Sequence, residues 1–415
     1  MKLCLKSETP ETHEAAPNAA NAKKTSREES LQIMAHSTRL SSRRSALALV
    51  AAIAAAALIH ATAPSLAIAQ EDAEKRLQFH GYGEFHYNNP ETGTMDQSAT
   101  SLADVHRFVL GWTYEFTPVI RLDAEIDYEH AAREIELEYA HIDYDLSPTL
   151  ALRAGSLLMP VGPLNEFHEP PLFYSVERPY VQQSIIPTTW QENGIGVVGR
   201  AGTGLGYRAY LVTGLNAVNF TGGSGIRGGR SGSSEAKAED LAGVARLEYA
   251  STAGLSLGAS GYYGGADQSE LGLGDVKVSM VALDARFRRG GLDLRGVFAQ
   301  DFLDGADSVA VVTGENVGEV MQGFYAEAAY DLLRRDAKPD ARRSFFLFAR
   351  YEQFDTNAEM PTGLTADPAF DRTVITGGIA YLPIEKISFK ADFEHWEDGT
   401  DATLNRINLG AAFLF

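Results

Sequence analysis

Arginine recurs along this chain at a spacing that suits the coordination of anions. Arg107, Arg121, Arg153, Arg200, Arg208, Arg246, Arg286, Arg295, Arg350 and Arg406 each sit in a run of alternating polar and apolar residues, on the polar register of that run. A guanidinium stays charged at physiological pH and presents a planar fork of donors, so a row of them facing one space would hold small anions. Acids share the register: Asp123, Glu125, Asp127, Asp284, Asp293, Glu352, Asp392 and Glu394 would cancel part of that field. A second set of charges is concentrated in residues 159–189, which carry Glu166, His168, Glu169, Glu177 and Arg178. Pro160, Pro163, Pro170, Pro171, Pro179 and Pro187 stiffen that segment, and Phe167, Phe173, Tyr174 and Tyr180 give it apolar matter to pack. Held at a narrow place, its charges would act at low dielectric and count for more than in bulk water. Alternatively the segment caps the fold or covers a subunit interface.

The residues that would position these charges read as strands. After Gln70 no helical period is sustained, whereas alternating runs recur to the end. Ile120, Leu122, Ala124, Ile126 and Tyr128 share one register while Arg121, Asp123, Glu125, Asp127 and Glu129 share the other. Near 387–394, Ile387, Phe389, Ala391 and Phe393 stand against Lys390, Asp392 and Glu394, and the last run sets Ile407, Leu409, Ala411, Phe413 and Phe415 against Arg406, Asn408 and Gly410. There are about sixteen such runs, most long enough to cross a bilayer at a tilt.

The links between runs alternate in length. Thr117-Pro118, Ser147-Pro148, 202–204 and Arg289-Gly290 are short, whereas 90–102, 159–189, 216–238, 265–275, 302–318 and 355–369 are long; 332–342 is an exception. A β-propeller would repeat strands without these two classes of link. The expected fold is all-β: a transmembrane antiparallel β-barrel of about 16 strands, with short periplasmic turns, long extracellular loops and a charged lumen. One strand breaks its own pattern, because the register of Glu134, Glu136 and Glu138 does not continue into His141, Asp143 and Asp145. A bulge there, or an upper part projecting beyond the bilayer, is expected.

The 415 residues, 45% hydrophobic and 22% charged, leave soluble and barrel classes equally open. The leader narrows the choice. Arg39, Arg43 and Arg44 precede an apolar run from Ala46 to Ile59, and Ala67-Ile68-Ala69 offers a small-x-small cleavage site. Residues 34–69 therefore read as a signal peptide, 1–33 as a non-native or disordered extension ahead of Met34, and 70–415 as the barrel, placed in the outer membrane of a Gram-negative bacterium. Residues 1–69 hold 8 of the 36 Lys and Arg and 5 of the 55 Asp and Glu, leaving 28 basic and 50 acidic residues, net −22. Such a balance argues against a nucleic-acid partner. Cys4 is the one cysteine, so the expected mature part has no disulfide and no cysteine metal site.

From Met159 to Arg200 the chain resembles the phosphate-selective porin family (porins O and P). Ile185 to Trp190 (IIPTTW), Pro160 to Gly162 (PVG) and Asn165 to Pro171 (NEFHEPP) carry the likeness, with Ile226 to Arg230 (IRGGR) as a second match. The resemblance implies a sixteen-stranded barrel, often trimeric, that passes small anions down an arginine-lined lumen, with an aromatic last residue such as Phe415 serving as an assembly signal. Lysine is scarce after the leader (Lys75, Lys237, Lys277, Lys338, Lys386 and Lys390), so the family's lysine-rich loop sites have no clear counterpart.

Weaker signals add little. Gly223, Gly225 and Gly228 match a GxGxxG spacing with no helix after it. Glu166, His168 and Glu169, or His80 with His86, could be read as metal ligands, but histidines beside carboxylates are more often salt-bridged. No metal, cofactor or catalytic residue is assigned. The expected role is passive diffusion of small hydrophilic solutes, anions such as phosphate among them, through an outer-membrane porin that is not an enzyme; the expected partners are outer-membrane lipid, those solutes and further copies of the chain in a homotrimer. The alternative is a closed barrel with a structural or adhesive role, and a barrel enzyme comes last.

Overall fold

Strands that are apolar on one face and charged on the other must hide the apolar face from water, and a closed sheet in a bilayer does so without leaving an edge. The computed structural model describes residues 76–91, 93–95, 100–270, 272–334 and 343–415; the leader segments 1–33 and 34–69, with Cys4, lie outside the described residues. Sixteen strands follow one another. They are β1 (Leu77–Glu91), β2 (Leu102–Thr117), β3 (Ile120–Glu129), β4 (Glu134–Ser147), β5 (Leu150–Leu158), β6 (Gln191–Ala201), β7 (Leu205–Thr213) and β8 (Leu241–Ala250). The second half holds β9 (Leu255–Gly265), β10 (Lys277–Arg289), β11 (Leu292–Asp304), β12 (Val320–Asp331), β13 (Ser344–Glu359), β14 (Asp371–Ile384), β15 (Ile387–Asp398) and β16 (Thr403–Leu414). Each is hydrogen-bonded to its neighbours in sequence, and β1 to β16, so the sheet is a closed barrel. The expected fold class is the observed one.

The seam between β1 and β16 is antiparallel, with Tyr82 opposite Leu414 and Asn89 opposite Ile407. Phe415 extends it, its N–H donating to the Gly81 carbonyl at 2.9 Å. Glycine is needed there because a Cβ on Gly81 would come within 2.7 Å of the Phe415 ring, and one on Gly83 within 2.6 Å of the Phe413 ring.

Alternation places the apolar register outward. Phe324 and Tyr330 on β12, and Ile387-register residues Phe389 and Phe393 on β15, are exposed, while Tyr325, Glu327, Lys390, Asp392 and Glu394 are buried. The register shifts at several places, and two of these bulges redirect charged or imidazole side chains into the lumen. On β4, Glu125 pairs with Tyr139 and Ile126 with Leu137, so Glu138 is the extra residue. Ile135 and Leu137 above it face out, and Glu138 is buried inside. The break expected in this strand is thus a bulge. On β2, Glu84 pairs with Arg107 and Phe85 with Val105, which leaves His106 extra. Nothing in the sequence pattern flagged that second bulge.

Short connections alternate with long ones as expected, although 130–133 and 399–402 on the long-loop side are themselves short, and β13 runs on past the expected start of its loop at 355 to Glu359. The helices Val181–Ser184 and Ala306–Thr313 lie in long connections. Among the described residues no helix is long and apolar enough to cross a membrane.

Phe324 lies near the middle of β12, opposite Phe298, and is 40% exposed on the outer face. Phe324→Arg is expected to destabilise the barrel by about 2–4 kcal/mol in urea unfolding from phospholipid vesicles, the cost of an arginine at the bilayer midplane. A loss under about 0.5 kcal/mol would contradict an outward, lipid-facing Phe324.

Candidate functional site

Residues 159–190, between β5 and β6, are pinched at their neck. Met159 N–H donates to the Trp190 carbonyl at 2.9 Å. The buried Asn165 amide donates to the carbonyls of Met159 and Trp190 at 2.7 and 2.9 Å and accepts from Trp190 N–H at 2.9 Å. One side chain therefore satisfies backbone groups that would otherwise be orphaned at the loop base.

Beyond the neck the segment lies against the inner wall. Met159, Val161, Val181, Ile185, Ile186 and Trp190 are fully buried, in one cluster with Tyr210, Val244, Tyr262, Val278, Met280, Val297, Ala299, Met321, Tyr325 and Phe354 of β7 to β13. Polar groups tie the rest. Gln182 donates to the Tyr325 hydroxyl at 2.9 Å, and Val181 N–H to Glu352 at 3.1 Å. Tyr180 donates to Glu394 at 3.1 Å, and Val176 N–H to Asp392 at 2.6 Å. Lys390 donates to the carbonyls of Pro170 and Ser175 at 2.7 and 2.8 Å. Tyr174 donates to Asp293 at 2.6 Å, and Asn88 to Glu177 at 3.0 Å.

The arginines expected to line a wet face fall into two groups. Most are neutralised. Arg107 pairs with Glu84 at 2.6 Å, Arg121 with Asp143 at 2.6 Å, and Arg153 with Asp143 at 2.8 Å. Arg208 pairs with Glu166 at 3.0 Å and Glu248 at 3.1 Å, and Arg246 with Asp284 at 2.7 Å. Arg286 and Arg295 share Asp293 at 2.6 and 3.1 Å. Arg350 pairs with Glu352 at 2.6 Å and Glu327 at 3.3 Å, and Arg406 with Glu394 at 2.6 Å. A paired arginine in this setting holds its carboxylate partner, because leaving either charge alone at low dielectric costs several kcal/mol.

Arg200 differs, since it makes no ion pair within 4.0 Å among the described residues. It lines a cavity of about 570 Å³ at the periplasmic end, with Arg121, Arg153, Arg208, Glu166 and Phe167. A second cavity, of about 220 Å³ in the extracellular half, is lined by Glu84, His86, His106, Glu177, Arg178 and Arg227. Among the described residues, Arg178, Arg227 and Arg230 likewise make no ion pair. Arg227 donates to the carbonyls of Gln183 (3.1 Å) and Thr188, and Arg230 to those of Pro187 (3.3 Å) and Thr189. These two arginines, on the connection 214–240, buckle the end of 159–190 from above. They sit in the IRGGR string, whose content was visible in the sequence; what was not visible is that the loop's own carbonyls, rather than acids, receive them.

The loop charges occupy different environments. His168 lies 3.1 Å from Glu138, which the β4 bulge carries inward. Glu169 has a buried carboxylate oxygen without a hydrogen bond. Burial lifts the Glu166 carboxyl above its ordinary range against the pull of Arg208. Burial also pushes on Glu177, but the hydrogen bond and charge of His86 outweigh it and hold the carboxyl at about 2. Arg178 is pushed down by burial and then by its neighbour Arg107. Sequence reading missed Glu84, Glu138, Asp143, Glu248 and Glu327 as partners, because partner choice depends on strand stagger rather than on register.

Asn165→Ala is expected to leave the sheet intact but release the loop neck, at a cost of about 1–3 kcal/mol for the groups it orphans. Limited chymotrypsin digestion should then cut after Tyr174 several-fold faster than in the parent barrel; an unchanged cutting rate would contradict the role given to Asn165.

No family model matches the chain. Solved structures with the same barrel include OprB of Pseudomonas putida at high pH, with TM-score 0.55, 10% identity, and 82% of this chain against 95% of that one. OmpF of Salmonella typhi in complex with daunomycin aligns at TM-score 0.54 and 11% identity, over 82% of this chain and 97% of that one. The anion-selective porin of Comamonas acidovorans aligns at 0.51 and 12%, over 82% and 99%. At such identities the likeness is one of fold. An uncharacterised protein of Aquifex aeolicus (strain VF5) is 33% identical over 354 residues, 80% of this chain and 79% of that protein. The chain belongs to one family with that Aquifex aeolicus protein, and its fold is the sixteen-stranded barrel of outer-membrane porins.

Proposed function

We propose that the chain is an outer-membrane channel for passive diffusion of small hydrophilic solutes, with a preference for anions, phosphate included. The observation that carries this reading is the division of the arginines. Of the ten strand arginines all but Arg200 are taken up by carboxylates, while Arg200 in the periplasmic cavity and Arg178 with Arg227 in the extracellular one keep their charge available to a solute. The loop 159–189 acts in this reading as the constriction between the two cavities. The anion selectivity of the Comamonas acidovorans porin, which shares the fold, supports the same direction, as does the resemblance to the phosphate-selective porins. The reading further takes residues 34–69 as a cleaved signal peptide, the outer face of the barrel as lipid-bound, the assembly as a homotrimer, as in the trimer form of OmpT of Vibrio cholerae, and the barrel as a conduit rather than an enzyme.

One observation favours a second reading, a closed barrel with a structural or adhesive role. The loop is bonded to walls as far apart as β1, β4, β7, β11, β13 and β15, which a plug would also require.

Planar-bilayer recording in a potassium chloride gradient separates these readings. The parent barrel should show single-channel steps with a reversal potential on the anion side. Arg178→Ala should lower the anion-to-cation permeability ratio about fivefold, roughly 1 kcal/mol for one unpaired charge. A cation preference in the parent would sink the anion proposal, and an absence of steps together with exclusion of small sugars from proteoliposomes would favour the closed barrel.

A further inference from the structure

We propose that Asp104, His106 and His130 form a binding site for a divalent transition-metal ion of the zinc or nickel class at the extracellular end of the lumen. The Asp104 carboxylate oxygen lies 2.6 Å from His130 Nδ1 and 3.5 Å from His106 Nδ1. All three donor atoms fall within 4.8 Å of one another. Ligands at zinc distances in a tetrahedral arrangement are about 3.3 Å apart, so an ion seats here with small side-chain rotations. Two imidazoles and one carboxylate suit zinc, nickel or copper and leave the remaining positions to water.

Two local features of the backbone bring these residues together, and neither is required by the barrel. The bulge on β2 makes His106 the extra residue, so that Asp104 and His106 above it share the inner face with Arg107 below it. The connection after β3 folds back over β2 with His130, Ala131 and Ala132 at φ of 48°, 58° and 67°. His130 N–H donates to the His106 carbonyl at 3.0 Å and Ala131 N–H to that of Val105 at 3.1 Å. Three successive non-glycine residues in the left-handed region cost about 1–2 kcal/mol each, and such strain is retained where surrounding contacts or function demand it.

The acid of this site is open to a cation, although Arg178 and Arg227 line the neighbouring cavity. Among the described residues the basic side chains within 4.0 Å of the Asp104 carboxylate are the imidazoles of His106 and His130, with no arginine or lysine on it. Among the described residues the other grouping of this kind, Asp123, His141 and Asp143, is filled already, because Arg121 and Arg153 occupy Asp143 at 2.6 and 2.8 Å. His86 stacks on His106 with ring centroids 4.4 Å apart and is itself held by Glu84 and Glu177 at 3.0 and 3.3 Å. That support fixes the His106 ring as outer partners fix metal-bound imidazoles. The three ligands are part-exposed, so the ion enters from outside and stands beside the extracellular cavity that His106 helps to line.

Isothermal titration of the purified, detergent-folded barrel with zinc chloride tests the site without reference to conduction. One zinc per chain should bind in the micromolar range. His130→Asn, chosen because asparagine tolerates the left-handed backbone, should weaken binding at least about tenfold, as should His106→Ala; His141→Ala should leave it unchanged. Substitution with cobalt should give a visible spectrum of nitrogen and oxygen ligation that His130→Asn removes. Absence of saturable one-to-one binding, or binding undiminished in a folded His130→Asn barrel, would overturn the proposal and leave the Asp104–His130 contact as a hydrogen bond. A barrel that binds zinc yet shows no channel steps would overturn only the diffusion reading.

Discussion

The interior of this barrel is organised by one loop, whose apolar side chains dock on one side of the wall while its polar groups reach across to β1, β4 and β15. A closed sheet has no second layer to pack against, so the inward faces of its strands must find partners across the lumen or in water. Residues 159–190 supply those partners for β7 to β13, where Val181, Ile185, Ile186 and Trp190 meet Val244, Tyr262, Met280 and Phe354. Each large apolar side chain fully removed from water contributes about 1.5–3 kcal/mol. The same docking puts Tyr174, Val176 and Tyr180 where they hydrogen-bond Asp293, Asp392 and Glu394, so that the apolar contact decides which polar groups can meet.

The wall is therefore divided. On the side of β7 to β13 the upper lumen is apolar and filled. On the side of β15, β16 and β1 to β4 it stays charged, and both cavities are lined in part by that side. The neck made by Asn165 and the arginine buckle at Arg227 and Arg230 fix the two ends of the loop, so its middle, with Glu177 and Arg178, is held rather than free to sample positions.

Much of this was legible in the sequence. Period-two alternation located the strands because a bilayer outside and, over much of the wall, polar groups inside impose it, and the broken register at Glu138 marked a break of the ladder for the same reason. The proline and aromatic content of 159–189 marked a loop with its own packing. Three things were not legible. The acid that pairs with each arginine depends on the stagger between strands, as Asp143 shows by taking both Arg121 and Arg153. The bulge at His106 leaves the alternation on either side plausible, since Val105 and Phe108 are both apolar. The meeting of His130 with Asp104 depends on a left-handed turn formed without glycine, for which propensity gives no warning.

These features change what a row of arginines means. In an acidic chain, a guanidinium on a lumen wall is first a device for burying a carboxylate: Arg350, fully buried between Glu327 and Glu352, is closed to any solute. The charge that remains for a passing ion is the residue of that pairing, and it collects where backbone rather than acid surrounds the arginine. Arg227 rests on loop carbonyls, whose partial charges orient it without neutralising it. A carbonyl-held arginine keeps its full positive field, whereas a carboxylate-held one is a dipole whose field falls off within a few ångströms. Selectivity in such a barrel then rests with a few residues on connections 159–190 and 214–240 and with Arg200 on β6, while the carboxylate-paired strand arginines secure the lumen wall on which those connections dock.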